Sequence, residues 1–199
     1  MSPLEELRQS LPDYARDIKI NLASLLGPDA VTDLSPSQKW GCAIAASIAS
    51  RNRTVLGAVE QEAKFMIDEP TAAAARTAAA IMAMTNIYYR AIHMAGDAEL
   101  SRLPAGLRMN GLTKHGAPPL DFELFGLAAS VVKGCEGCTK AHVEGAKRHG
   151  APAQVAQAAI RIAAVIHAAA TVLDPDPEPT LAISAPVARA EMKVSANAA

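Results

Sequence analysis

Glu123, Cys135, Cys138 and His142 bring a carboxylate, two thiols and an imidazole into one short segment, ELFGLAASVVKGCEGCTKAH. Cys135 and Cys138 form a C-x-x-C pair, close enough in sequence to be joined as a disulfide, so the group reads as a dithiol redox centre. Gly134 directly precedes the pair and can end one helix while another begins. Near a helix N-terminus, unpaired N–H groups and the positive end of the dipole favour thiolate over thiol, which lowers a cysteine pKa from its free value of about 8.5. His142 follows Cys138 by one helical turn on the same face and can take the Cys138 proton, directly or through a water. The dipole alone favours Cys135 as the more acidic thiol; the His142 spacing favours Cys138.

Other readings of the same residues stay open. A C-x-x-C pair also serves as two small core cysteines, or as half of a zinc site completed by His142 and by Glu123 or His149. The glycine inside the motif and its place at a helix start favour redox chemistry. On one straight helix Glu123 would point away from the thiols, whereas a break at Gly134 lets two helices fold so that Glu123 faces His142; the alternative is a solvated glutamate at a helix start.

The elements that must hold these groups are helical. Strand signals are nearly absent and alanine-rich segments recur, so the fold class is all-α: one domain of about eight helices over residues 1–173, followed by a proline-rich tail over 174–199. Helices are expected at 3–10, 13–26, 36–50, 53–66, 71–94, 121–133, 136–148 and 152–172. Ser2-Pro3-Leu4-Glu5 and Ser35-Pro36-Ser37-Gln38 read as capping boxes with proline at the first helical position, and Gly27, Gly96 and Gly150 read as stops. Residues 97–120 form the main irregular connection. A faint duplication also emerges: Ala45-Ala46-Ser47 matches Ala128-Ala129-Ser130, the helix from Thr71 resembles the one from Pro152, and Asn52 and Val55 stand where the second half has Cys135 and Cys138.

The 199 residues suffice for one core, and 50% hydrophobic content argues against disorder. A net charge of −1, with no basic cluster among aromatics, argues against nucleic-acid binding. Three cysteines do not make a secreted disulfide framework, the N-terminus lacks the apolar core of a signal peptide, and charged residues interrupt the apolar stretches. The expectation is a cytoplasmic protein with no membrane span. Cys42 reads as a small hydrophobe; His93, His115, His149 and His167 have no partner at a telling spacing. Trp40, Met82, Met84, Tyr88 and Tyr89 read as packing residues, with Tyr89 or Arg90 bordering the site, while Arg108 and Asn110 read as anchors for helices or a subunit contact.

The order Glu123, Cys135-x-x-Cys138, His142 resembles the active-site pattern of the AhpD-type alkyl hydroperoxide reductases, within the carboxymuconolactone decarboxylase-like superfamily. Leu11-Pro-Asp-Tyr-Ala-Arg-Asp-Ile-Lys19, Gln38-Lys-Trp-Gly41, Met84-Thr-Asn-Ile-Tyr-Tyr-Arg90 and Gly106-Leu-Arg-Met-Asn110 are similar to further segments of that family, and the likeness runs from about Leu4 to Leu173. The resemblance implies an all-helical homo-oligomer, commonly a trimer. It implies that Cys138 is the peroxidatic thiol that becomes sulfenic acid, that Cys135 donates a proton and then resolves the sulfenate, and that Glu123 and His142 relay the Cys138 proton. It further implies that no cofactor is bound, that a lipoyl (dihydrolipoamide) dithiol on a dihydrolipoamide acyltransferase is the reductant, and that an AhpC-type peroxiredoxin is the partner regenerated. Exchange with that dithiol is expected at the more exposed sulfur, taken as Cys135.

One position departs from the pattern. Family members often carry a histidine immediately before the second cysteine, and here that residue is Gly137, with Glu136 beside it adding a like charge. This keeps two rival functions in view: a protein disulfide reductase or adaptor with little intrinsic peroxidase activity, and a carboxymuconolactone decarboxylase-like enzyme that does not need the cysteines. A zinc-binding helical stress protein is a third.

Overall fold

A computed structural model describes residues 1–173, so the expected tail over 174–199 lies outside the described residues. The described chain is all-α, with eight α-helices: α1 (Pro3–Ser10), α2 (Arg16–Leu26), α3 (Pro36–Ser50), α4 (Arg53–Ala63), α5 (Glu69–Ala95), α6 (Pro119–Lys133), α7 (Glu136–Arg148) and α8 (Ala153–Val172).

Side-chain caps explain where α1, α3, α4 and α5 begin. Ser2 accepts from the Glu5 N–H, Asn52 from Val55, and Asp68 from Thr71, while Ser35 and Gln38 bond each other's backbone reciprocally. Each cap supplies an acceptor to an N–H that has no partner inside its helix, typically stabilising by about 1 kcal/mol. Asp68 starts α5 two residues before the expected position, and Pro119 does the same for α6. The expected helix over 13–26 opens instead as a 3₁₀ turn at Asp13–Ala15, and α4 stops at Ala63 rather than 66. Gly96 ends α5 in the left-handed region, φ 63°; Gly27 ends α2 with an ordinary φ of −64°, so that stop does not depend on the freedom of glycine.

The core centres on α3 packed against α6, with α5 and α8 each touching both. Alanines and glycines let these helices come close. Gly41 faces the Phe125 ring, which would collide with any β-carbon there, and Leu124, Leu127, Ile162 and Ile166 fill the centre fully buried. A buried leucine or isoleucine of this kind contributes about 1.5–3 kcal/mol through apolar transfer alone. Composition would allow α8 to cross a membrane, yet half of its apolar window is buried within this fold.

The duplication is visible in the order of elements. A left-handed residue ends α3 at Arg51, φ 64°, and another ends α6 at Gly134, φ 63°. The next residue caps the following helix in each case: Asn52 accepts from the Val55 N–H, and Cys135 Sγ from the Cys138 N–H. Asn52 and Val55 thus occupy the places of the two cysteines in the first half.

Candidate active site

Gly134 is the residue on which the site turns. Its φ of 63° ends α6 in a conformation that costs a side-chain-bearing residue energy, and α7 starts again at once in a new direction. Glu123 on α6 thereby comes to face His142 on α7, with Oε2 2.7 Å from Nδ1. The carboxylate accepts the Nδ1–H proton, which leaves Nε2 as the basic nitrogen of the neutral ring. Nε2 lies 3.1 Å from Met82 Sδ on α5. Both partners are largely shielded, with side-chain exposures of 12% for His142 and 24% for Glu123.

Two glycines make room for this pair. A β-carbon at Gly126 would overlap the His142 ring, and one at Gly145 would overlap the Glu123 carboxylate. Neither glycine was singled out from sequence, where both look like ordinary weak points in helices. Met82, expected as a packing residue, is also in contact with the site.

Cys135 and Cys138 are joined as a disulfide, with Cα atoms 5.3 Å apart. Cys135 caps α7, its sulfur accepting the Cys138 N–H at 3.3 Å. This places the Cys135 sulfur at the N-terminus of α7. The expectation that Cys135 is the more exposed of the two is corrected: it is 1% exposed against 8% for Cys138, because the capping position turns it inward. Among the described residues no three His, Cys, Asp or Glu side chains form a group able to hold a metal ion.

Two openings flank the pair. On the Cys138 side a mainly apolar cavity of about 440 Å³ is lined by Met82, Tyr89, Met109, Leu112 and His142. On the Cys135 side a wider, shallower depression carries Glu136, Lys140, Glu144 and Lys147. A third cleft, near Trp40 and Glu62, lies away from the cysteines.

The other candidate residues fall outside the site or at its edge. Cys42 is fully buried, and burial together with the Asp121 charge pushes its thiol far up. His115 stacks on Phe122 with centroids 3.9 Å apart; burial lowers its pKa and the Glu123 charge partly offsets this. His93 stands 3.8 Å from Glu136, and His167 3.3 Å from the Ser50 hydroxyl, so both have partners that their sequence spacing did not reveal. Glu136 is strongly exposed, where water screens its charge. Arg90 borders the site by donating to the Lys133 carbonyl at 2.5 Å, just ahead of the break.

An all-helical domain with a capped C-x-x-C beside a Glu–His pair matches a known class. The family model described as the carboxymuconolactone decarboxylase family matches residues 98–174, which include Glu123, Cys135, Cys138 and His142. Proteins named alkyl hydroperoxide reductase AhpD are similar over most of the chain. The one from Frankia alni is 49% identical over 84% of this chain and 89% of its own length. Those from Rhodospirillum centenum and Anaeromyxobacter dehalogenans are 47% and 45% identical, over 86% and 87% of this chain and 90% and 92% of their own lengths. The chain belongs to the AhpD family.

Proposed function

We propose that this chain is a thiol-dependent antioxidant enzyme that reduces alkyl hydroperoxides through Cys135 and Cys138 and returns an AhpC-type peroxiredoxin to its reduced state. The observation that carries the reading is the apolar cavity that Cys138 of the joined pair shares with His142, whose ring is hydrogen-bonded to Glu123. The names of the relatives support it.

Glu123 holds the His142 tautomer, and Nε2, through water, takes the Cys138 proton. The Cys138 thiolate attacks the distal peroxide oxygen, the O–O bond breaks, and the alkoxide leaves as an alcohol with the proton of Cys135. The sulfenic acid on Cys138 then condenses with Cys135, and water departs with the proton held by His142. A lipoyl dithiol, carried by a dihydrolipoamide acyltransferase, reopens the bridge through a mixed disulfide and becomes a cyclic disulfide itself. No bound cofactor enters these steps. The protein works in the cytoplasm as a homo-oligomer, a trimer; exposed Ile87 and Met94 on α5 support a subunit contact.

Peroxide consumption with free dihydrolipoamide, run on the native protein beside Cys135→Ser and Cys138→Ser, tests the reading. Turnover lost in both variants, with sulfenic acid trapped at residue 138 when Cys135 is absent, is the expected result; full turnover in Cys138→Ser would sink it. Gly137 supports a second reading, a protein disulfide reductase or adaptor, recognised by fast reduction of an oxidised peroxiredoxin with negligible peroxide turnover. Activity on a ring acid that survives loss of both cysteines would instead mark a decarboxylase-like enzyme.

A further inference from the structure

Asn86 is fully buried on α5, and its Nδ2 is the one buried side-chain nitrogen or oxygen without a hydrogen-bond partner among the described residues. Its Oδ1 is satisfied by the Ser130 hydroxyl, which donates at 3.0 Å. An unpaired buried N–H₂ group costs about 1–3 kcal/mol, so its retention calls for a reason.

The surroundings supply one. Three residues on one stripe of α5 face the site in register: Met82 meets His142, Asn86 meets Ser130, and Arg90 meets the Lys133 carbonyl. The Ser130 carbonyl in turn accepts the Cys135 N–H at 3.3 Å. Asn86 therefore stands level with the dithiol, between the imidazole and the helix break. Thr85 and Tyr89, on either side of it, line the cavity shared with Cys138. Of the two sulfurs, Cys135 Sγ already accepts an N–H, whereas Cys138 Sγ accepts none among the described residues.

We infer that Asn86 is the hydrogen-bond donor for the Cys138 thiolate, its Nδ2 left without a partner in the disulfide form and engaged when reduction frees the sulfur. A thiolate is a strong acceptor and a disulfide sulfur a poor one, so the same N–H₂ group is unsatisfied in one redox state and paired in the other. The donor then comes from α5 and not from the residue before Cys138, which is Gly137. This deepens the proposed function and rests on Cys138 being the thiolate that reacts. Charged and titratable groups around the dithiol are Tyr89, Arg90 and His93 on α5, Glu123 and Lys133 on α6, Glu136, Lys140, His142, Glu144 and Lys147 on α7, and His115 in the preceding connection. Asn86 adds a neutral donor to that set, and replacing it with another neutral side chain changes no charge.

The test is thiolate absorbance at 240 nm across pH in reduced protein carrying Cys135→Ser, which leaves Cys138 as the reporting thiol, comparing Asn86 with Asn86→Ala and Asn86→Asp; Cys42, its thiol pushed far up by burial, stays silent. Asn86→Ala is expected to raise the Cys138 midpoint by about one pH unit and Asn86→Asp by more, because a hydrogen bond to a charged group is lost. Should the variants fail to fold, the native protein labelled with ¹⁵N provides the readout: the Asn86 side-chain amide proton is expected to move downfield on reduction. An unchanged midpoint in folded variants, or an amide signal that does not respond to reduction, overturns the inference and leaves Asn86 as a packing partner of Ser130. Neither measurement uses peroxide. A lost peroxidase activity with the shift intact would defeat the proposed function alone, and the reverse would defeat the Asn86 assignment alone.

Discussion

The Glu123 carboxylate lies against the backbone of Gly145, in the space that a β-carbon at that position would fill. The helix α7 therefore gives up stability to hold its neighbour's side chain, since alanine in a helix interior is ordinarily better than glycine by about 1 kcal/mol. Gly145→Ala is expected to leave the melting temperature within a few degrees of native, because the helix gain offsets the overlap, while displacing Glu123 from His142. Peroxide turnover should fall at least roughly tenfold through loss of a positioned proton relay. Gly126→Ala strikes the less pliable His142 ring and is expected to cost about 1–3 kcal/mol of stability as well. Thermal melts beside steady-state peroxide assays check both, and native turnover in Gly145→Ala would show that Glu123 does not need this position.

Much of this arrangement is legible in the residues alone. The Ser35–Gln38 capping box and an alanine-rich composition announce the helices, although at Ser2 only half of the expected box forms, because the Glu5 carboxylate pairs with Arg8 and Gln9 instead; Gly134 announces the break that turns Glu123 toward His142. What sequence could not show is which glycines are spacers. Gly126 and Gly145 matter because of atoms contributed by another helix, and Gly57, which meets nothing, looks the same in one dimension. The burial order of the cysteines was misjudged for a similar reason. A position at a helix start suggests exposure, but capping with sulfur turns Cys135 inward. Asn86 falls within the Met84–Arg90 segment that carries part of the family likeness, but its role is not legible there, since its partner Ser130 lies far away in sequence.

Cys42 provides a sharp count of reactive thiols. Fully buried on α3, with its sulfur donating to the Leu124 carbonyl at 3.5 Å and its pKa pushed far up by burial, it stays protonated and shielded at neutral pH. Dithionitrobenzoate should find no thiol in the native oxidised protein, two after reduction, and a third only in denaturant. A fast-reacting thiol before reduction would contradict the burial of Cys42.

His115 introduces a small pH dependence of stability. Its pKa is lowered in the folded state, chiefly by burial against Phe122, so the unfolded chain binds the proton more readily. Stability then rises as pH rises from the folded pKa to the unfolded value near 6.5, and is lost as pH falls back through that window. The ring is partly exposed, so solvent keeps the effect small. Chemical denaturation at pH 5 and pH 7 should show a smaller pH difference in His115→Gln than in native protein, and an equal difference would mean that other groups set the slope.

The cavity beside Cys138 is lined by Met109 and Leu112 from the irregular connection, apolar side chains that, under the proposed function, should favour an organic peroxide over hydrogen peroxide. Leu112→Asp is expected to reduce kcat/KM for cumene hydroperoxide roughly tenfold, since losing the burial of a few methylene groups is worth about 1–2 kcal/mol, and to change that for hydrogen peroxide little. Equal losses for both substrates would remove the cavity from substrate selection.

Gly137 leaves an opening that a larger residue can occupy. Its φ is ordinary, a β-carbon there would meet nothing within 4 Å, and the residue lines the cavity with Cys138 and His142. Under the proposed mechanism, an imidazole at this place would lengthen the relay of Glu123 and His142. Gly137→His is expected to fold without strain, to gain helix propensity, and to put a second imidazole beside Cys138. Peroxide turnover should rise roughly tenfold near neutral pH, less than the roughly hundredfold or more a fully positioned general base supplies because His142 already serves, and the acid limb of the pH–rate profile should move down. Reduction of the bridge by dihydrolipoamide should change less, because it depends on which sulfur is reached and not on proton removal from Cys138. A variant that folds and reduces normally yet gains no peroxide turnover would show that Glu123, His142 and the α5 donor already suffice, and that the glycine costs this protein nothing.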